Sequence, residues 1–207
     1  MAKQLAFHII SSQCGNCKAC QIACQDKNNL PAETRWRHVW QYGGGSWAPQ
    51  GDLMVPNNVF NYGVSVACMH CENPPCMHVC PAGAISKRAD GVVLINQDQC
   101  IGCRYCEWAC PYGAPQYLAD KGVMSKCTFC EDLLAKGENP ACVDACPMRA
   151  IEFGELSELR AKYGSLAAIE PLPSASLTSP ALVITPHRHA QMSGKGTGRI
   201  LDLKQEV

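Results

Sequence analysis

The cysteines constrain this chain more than any other feature, because all sixteen of them fall into four groups of four. The first and third groups, at residues 14–24 and 100–110, have the spacing C-x2-C-x2-C-x3-C. The second and fourth, at residues 68–80 and 127–146, keep the opening C-x2-C and the closing C-x3-C around a longer middle gap. The sequence therefore contains an internal repeat of a metal-binding unit.

The run C-x2-C-x2-C-x3-C-P is the bacterial ferredoxin arrangement for [4Fe–4S] clusters. Pro81, Pro111 and Pro147 each follow a closing cysteine, whereas Gln25 stands there in the first group. Disulfides and a four-thiolate zinc site are the alternatives. Zinc leaves the third cysteine, the closing spacing and the prolines unexplained, and disulfide-dense scaffolds are usually short secreted chains. We therefore expect four clusters, with degraded or partly filled sites as the remaining alternative.

The order of the groups suggests nesting, with groups two and three forming an inner unit and groups one and four an outer one. Spacing alone does not establish which cysteines share a cluster, so four self-contained groups remain open. The ferredoxin precedent favours an exchange in which the closing cysteine of each group binds the other cluster of its unit. The predicted ligand sets are Cys14, Cys17, Cys20 and Cys146; Cys127, Cys130, Cys142 and Cys24; Cys68, Cys71, Cys76 and Cys110; and Cys100, Cys103, Cys106 and Cys80.

The segments between the groups predict an α+β fold of two nested bacterial-ferredoxin-like units. Strand patterns precede groups one and two, and residues 83–100 predict a hairpin that turns at Asp90-Gly91. The same plan recurs at 113–127. "RWRHVWQYGGG" predicts a strand that ends in a glycine turn, and residues 150–164 a strand followed by a helix. For that helix we expect Ser157 as the N-cap and Gly164 just past the end.

The chain divides by these patterns into two units, an insert and an arm. The arm holds four prolines and three glycines, which is poor material for a core, so it is expected to be disordered or, preferably, laid against a partner. The predicted divisions are residues 1–30 and 118–164 for the outer unit, 31–66 for the inserted strand region, 67–117 for the inner unit and 165–207 for the long irregular C-terminal arm.

The charge balance argues against a nucleic-acid partner, and the expected clusters require cations close to them. The formal net charge is zero, with 18 basic and 18 acidic residues, which gives no case for nucleic acid. No apolar stretch approaches the roughly 18 residues that a membrane helix needs, and neither a full signal peptide nor a twin-arginine pair is present. Four clusters would add about eight negative charges, so cations are expected nearby. The candidates are Lys18, Arg104, Lys126 and Arg149.

The expected ligation favours electron transfer over catalysis. Each cluster has four thiolates available, whereas clusters that act on a substrate usually leave an iron open. We find no dinucleotide fingerprint or P-loop, and "GGG" at 43–45 is read as a turn. His70, His78, His187 and His189 are expected to hydrogen-bond or pack, not to bind iron. No catalytic residue is predicted, and a series of four clusters requires a donor and an acceptor outside this chain.

Segments outside the cysteine groups carry a family resemblance. "CIGCRYCEWACPYGAPQY", "CPMRAIEFGELSELRAKYG", "SLAAIEPLP" and "QYGGGSW" resemble the iron–sulfur (B) subunit of anaerobic dimethyl sulfoxide reductases, over essentially the whole chain. Two positions depart from the family pattern. Asn16 stands where the family usually has glycine, and Gln25 where the other groups have proline. Asparagine tolerates left-handed backbone geometry, so the turn is expected to survive.

The resemblance implies a place in a larger complex. The chain would lie between a molybdopterin catalytic subunit and a membrane anchor that oxidises menaquinol. Electrons would enter at the Cys100 set, pass through the Cys68 and Cys127 sets, and leave from the Cys14 set. The protein would be peripheral on the cytoplasmic membrane through its partners, on the periplasmic face, with the cytoplasmic face as the alternative.

Two other functions remain open at this stage. The same series of four clusters could serve another reductase, with tetrathionate, thiosulfate, polysulfide, nitrite or formate as the substrate of its partner. An assembly protein that carries clusters or zinc without passing current belongs to a different class. Reduction of the clusters by a quinol analogue in the assembled complex would distinguish an electron-transfer subunit from such an assembly protein.

Overall fold

A computed structural model of the protein describes residues 3–202. Residues 1–2 of the predicted outer unit and 203–207 of the predicted arm lie outside the described residues. The strands are β1 (Leu5–Ile10), β2 (Arg37–Gln50), β3 (Leu53–Ala67), β4 (Ile85–Lys87), β5 (Val93–Ile95), β6 (Gln116–Leu118), β7 (Val123–Ser125), β8 (Ile151–Glu155), β9 (Leu182–Thr185) and β10 (Arg199–Ile200). The helices are α1 (Ala19–Lys27), α2 (Pro75–His78), α3 (Tyr105–Ala109), α4 (Glu131–Leu134), α5 (Ala141–Asp144) and α6 (Leu156–Tyr163), with a 3-10 turn at Ala175–Leu177. The α+β prediction is confirmed.

A three-stranded sheet in the order β8-β1-β9 joins the two ends of the chain. Strand β1 pairs antiparallel with β8 and parallel with β9. Because successive side chains of a strand point to opposite faces, Phe7 and Ile9 enter the main core while Ala6 faces the other way. Helix α6 covers that second face with Leu156 and Leu159. Both faces of β1 are therefore buried, which explains its nearly continuous apolar sequence.

Strands β2 and β3 form one long antiparallel hairpin, and here a prediction is wrong. The glycines at 43–45 do not end the strand, since pairing runs from Arg37↔Ala67 to Gln50↔Leu53. The register shifts between Gly44 and Ser46, which marks a bulge. Gly45 has φ +97°, and a Cβ there would lie 2.4 Å from the Asn58 carbonyl oxygen. The glycines therefore serve a bulge and a close backbone approach inside the strand, not a turn.

Two short hairpins follow the second and third cysteine groups, as the repeat predicts. Strand β4 pairs with β5 around Gly91, and β6 pairs with β7. The predicted domain boundary between residues 117 and 118 falls inside β6, so a division at that point would cut the second hairpin. No helix among residues 3–202 is long and apolar enough to span a membrane.

The C-terminal segment packs into the chain's own core, contrary to the expectation of an arm. Ile169, Leu172, Leu182 and Ile184 are fully buried members of the main core. Strand β9 supplies the last two of these by adding to the free edge of β1. Short apolar runs between the prolines suffice for this packing, because a strand of four residues needs only an open edge and a covered face.

The end of helix α6 was predicted correctly and its start was not. Gly164 follows the helix with φ +86°, a conformation that glycine adopts without strain. The helix begins at Leu156, with Glu155 at the N-cap position and no side-chain cap. Ser157 lies inside the first turn, where its hydroxyl donates to Glu155 Oε1 at 3.0 Å. The preceding strand β8 continues to Glu155 and leaves no position for a serine cap.

Candidate metal centres

Each cysteine group opens with a left-handed turn. The residue before the second cysteine of each group has positive φ: Asn16 (+56°), His70 (+40°), Gly102 (+67°) and Phe129 (+60°). This geometry turns the loop back on itself and lets several sulfurs face one volume. Asn16 adopts the left-handed conformation that was expected of it. Gly102 has no alternative, because a Cβ there would meet the Gly122 carbonyl oxygen at 2.3 Å.

Three cavities are lined by cysteines from more than one group. Each has apolar walls, formed for example by Ile9, Ile85 and Met124. The first is lined by Cys14, Cys17, Cys20 and Cys146, the second by Cys68, Cys71, Cys76 and Cys110, and the third by Cys80, Cys100, Cys103 and Cys106. In each cavity three sulfurs come from one group and the fourth from the paired group.

The remaining four cysteines influence one another electrostatically. Burial, with smaller contributions from Cys142 and Cys130, raises the pKa of Cys24 to about 12, and the Arg37 charge opposes that rise. Cys127 is fully buried, which raises its pKa well above the usual value, with added contributions from Cys24, Cys68 and Cys142. Cys24, Cys127, Cys130 and Cys142 therefore lie in one neighbourhood.

The donor set fits a cluster better than a single ion. All sixteen cysteines are free thiols. Among residues 3–202, no three His, Cys, Asp or Glu side chains converge closely enough to hold one metal ion. Backbone amides donate towards the sulfurs, as from Ala150 to Cys146 Sγ at 3.2 Å and from Met124 to Cys100 Sγ at 3.4 Å. Four thiols around an apolar cavity, with amide donors behind them, are what a [4Fe–4S] group requires.

The histidines lie where packing or hydrogen bonding occupies them. His70 is buried, and its Nδ1 accepts a hydrogen bond from the Val93 amide at 3.0 Å. Burial and the nearby Lys126 charge lower the pKa of His70 well below its usual value, so the ring is neutral. His78 contacts Asn73 at the surface, and His187 stacks on Tyr62.

Of the predicted cations, Lys126 is the one buried among the cysteines. It lines the same cavity as the Cys68 set, and its ammonium donates to the carbonyl oxygens of Val93 and Cys127. Burial raises the pKa of Cys76 to about 12, and the Lys126 charge opposes that rise. The other three candidates have partners elsewhere. Lys18 pairs with Asp202, Arg104 with Glu107, and Arg149 with the backbone carbonyl of Asp144.

Sequence reasoning missed Arg37, which is fully buried in strand β2. Burial alone would lower its pKa, but the surrounding Cys142, Cys20, Cys127 and Cys24 sulfurs raise it. Arg37 lies outside every cysteine group, so cysteine spacing could not find it. One signal was available: in a strand Arg37 shares a face with the apolar Val39, because residues two apart point the same way.

Comparisons with known proteins agree with this geometry. The 4Fe-4S dicluster domain family matches residues 59–156. The chain is 47% identical over 205 residues to the (B) subunit of the anaerobic dimethyl sulfoxide reductase of Escherichia coli (strain K12), covering 99% of this chain and 100% of that protein.

More distant relatives are components of other oxidoreductases. Identity is 40% to the (B) subunit of the polysulfide reductase of Wolinella succinogenes, over 91% of this chain and 97% of the relative. It is 37% to the (B) subunit of the sulfite dehydrogenase of Allochromatium vinosum, over 75% of this chain and 70% of the relative. The cysteine-lined cavities, the match to the 4Fe-4S dicluster domain and the similarity over nearly the full length agree with one another. The protein belongs to the family of anaerobic dimethyl sulfoxide reductase (B) subunits, whose members are iron–sulfur electron-transfer subunits and not catalytic ones.

Proposed function

We propose that the chain carries four [4Fe–4S] clusters and relays electrons to a molybdopterin catalytic subunit that reduces dimethyl sulfoxide or related S- and N-oxides. The proposed ligands are the four sets predicted from the sequence, with the closing cysteines exchanged between groups. The observation that carries the proposal is that three of these sets each line one cavity. The mutual influence of Cys24, Cys127, Cys130 and Cys142 supports the fourth set.

The arrangement of the sets supports a linear path. The Cys14 and Cys127 sets are neighbours, since Cys20 and Cys24 share helix α1 and Cys142 lies near both. The Cys127 and Cys68 sets adjoin, because Cys127 and Cys68 pack in one cluster of buried residues. The Cys68 and Cys100 sets are joined by a second such cluster, which contains Cys76 and Cys106. A path through all four clusters can therefore pass from each set to a neighbouring set.

The two terminal sets are also the more accessible ones. Cys17 is exposed in the Cys14 set, and Cys80, Cys100 and Cys103 are partly exposed in the Cys100 set. The Cys127 set is buried throughout. We propose that electrons enter at the Cys100 set from a membrane anchor that oxidises menaquinol and leave at the Cys14 set to the catalytic subunit. The exposed Ile101, Tyr105 and Trp108 beside the Cys100 set offer the anchor an apolar contact.

The proposed location follows from these partners. The chain would be peripheral on the cytoplasmic membrane, held there by the anchor subunit, on its periplasmic face. The cytoplasmic face is the alternative. The proposed division into an outer unit, an insert and an inner unit keeps the sequence boundaries, except that the β6–β7 hairpin is better kept whole.

Metal analysis tests the cluster count directly. The purified complex should contain about sixteen irons for each copy of this chain, after subtraction of iron bound by its partners. Reduction should develop EPR signals of [4Fe–4S] clusters. A count near half of that value would contradict the four-cluster path and support partly filled sites.

A related reductase is the second candidate, and the similarity to the (B) subunit of a polysulfide reductase favours it. The electron path would be unchanged, because the substrate is chosen in the catalytic partner. Co-purification of the native complex, followed by assays with dimethyl sulfoxide and with polysulfide, would distinguish the two.

A further inference from the structure

Arg37 has no role in the cluster ligation, yet it is the most deeply buried cation near the first two sets. Its exposed fraction is 1%. Negative charge on Cys142, Cys20, Cys127 and Cys24 acts on it from both sets at once. A buried charge of this kind is costly unless opposite charge lies close by. The largest opposing contributions come from cysteine sulfurs, so the clusters that these cysteines would bind are the compensating charge that the site offers.

The surroundings of Arg37 hold its guanidinium in one position. Nη1 donates to Ser65 Oγ at 3.0 Å, and Cζ lies 4.6 Å from the centre of the Phe7 ring. Phe7 in turn stacks on Phe129, with 4.2 Å between the ring centres. Nη2 makes no hydrogen bond of normal geometry among the described residues, although the guanidinium lies within hydrogen-bonding reach of the Cys142 thiol. Nη2 is therefore a buried donor beside the cysteine sites.

Ser65 connects Arg37 with the first set. Its Oγ lies 3.4 Å from Cys20 Sγ, so the hydroxyl can donate to that sulfur while it accepts from Arg37. Cys20 and Cys24 are four residues apart on helix α1 and belong to different predicted sets. A single guanidinium thus reaches the first set through Ser65 and the second through its own charge.

We infer that Arg37 is a shared counter-charge that keeps the reduction potentials of the Cys14 and Cys127 clusters raised together. This inference rests on the proposed function. A [4Fe–4S] cluster with four thiolates gains one negative charge when it is reduced, and a nearby cation stabilises that form. When one electron moves from the Cys127 cluster to the Cys14 cluster, the total charge around Arg37 stays the same. A charge that acts about equally on both clusters raises both potentials and leaves the difference between them nearly unchanged, and Arg37 acts as a positioning residue and not as a ligand.

The test is a potentiometric EPR titration of the purified complex with Arg37→Gln. Both clusters should become harder to reduce, with at least a tenfold change in the ratio of oxidised to reduced form at a fixed potential. For a one-electron couple a tenfold change is about 59 mV. The matched control is Arg104→Gln, which removes a half-exposed arginine that pairs with Glu107 and should leave both potentials unchanged. Unchanged potentials in Arg37→Gln, or a change in only one of its two clusters, would overturn the inference.

A second variant covers the case in which Arg37→Gln does not load its clusters. Arg37→Lys keeps a positive charge in the same pocket and should load the full iron content, with potentials closer to those of the unaltered chain. A lysine variant that fails to load, or that loads with potentials shifted by a tenfold ratio or more, would show that the charge is not the important property. The iron content of the unaltered complex is the separate test of the proposed function, because it does not depend on Arg37.

Discussion

Two regions of the molecule hold their cysteines in different ways. The sheet region consists of β8-β1-β9, helix α6 and cysteine groups one and four, and it is built into the main hydrophobic core. The hairpin region consists of the β4–β5 and β6–β7 hairpins with Cys76, Cys80 and group three. Its own core cluster has five buried residues, and two of them, Cys76 and Cys106, are proposed ligands.

The two regions differ in how much of their stability depends on bound clusters. The sheet region has a paired sheet that is covered on both faces, so ordinary burial stabilises it. The hairpin region has strands of three residues, which are marginal without further support. We therefore expect cluster binding to contribute a larger share of the folding free energy in the hairpin region.

Iron removal should have the largest effect on the difference in stability between the two regions. After chelation under denaturant-free conditions, the amides of β4–β7 should lose hydrogen-exchange protection before those of β1, β8 and β9. The physical reason is that the hairpin region loses its main support, while the sheet keeps its buried apolar contacts. Hydrogen exchange followed by mass spectrometry measures this. Simultaneous loss in both regions would contradict the distinction.

Truncation of Ile184 should show that the C-terminal segment belongs to the sheet region. Ile184→Ala removes a fully buried side chain from β9 and should lower the free energy of unfolding by about 2–5 kcal/mol. The control is Leu177→Ala, at a residue that is 60% exposed, where the change should stay within about 0.5 kcal/mol. Denaturant unfolding of the two variants measures the difference, and equal effects would mean that the segment does not stabilise the core.

The turn at Gly102 should tolerate an alanine side chain less well than the turn at Gly113. Both residues have positive φ, but a Cβ at Gly102 would meet a backbone oxygen at 2.3 Å, whereas nothing lies within 4 Å at Gly113. Gly113→Ala should cost about 1–2 kcal/mol through its backbone conformation alone. Gly102→Ala should cost more and should also disturb the EPR signal of the Cys100 cluster. Indistinguishable thermal unfolding and spectra in the two variants would refute this account of the turn.

The smallest effect is expected at Arg104, which lies in the hairpin region. Its guanidinium is about half exposed and pairs with Glu107. Arg104→Gln should leave the potential of the Cys100 cluster unchanged within the error of an EPR titration. A change as large as the one expected for Arg37→Gln would mean that exposed cations also tune the clusters.

The sequence predicted those features of the molecule that depend on residues close together in the chain. The cysteine spacing, the Asp90-Gly91 hairpin and the end of α6 at Gly164 all follow from residues close together in the sequence. Arg37 and β9 could not be found in this way, since their roles depend on partners outside their own segments, among them Cys142 for Arg37 and β1 for β9. The glycines at 43–45 misled the prediction because glycine serves both turns and bulges, and only the partner strand distinguishes the two.

The exchange of closing cysteines is the central claim, and EPR of a Cys110→Ser variant tests it most directly. Cys110 closes group three in the sequence but lines the cavity of Cys68, Cys71 and Cys76. The account predicts that the cluster of the Cys68 set is lost or altered while that of Cys100, Cys103 and Cys106 keeps its signal. Damage confined to the cluster of Cys100, Cys103 and Cys106 would contradict it.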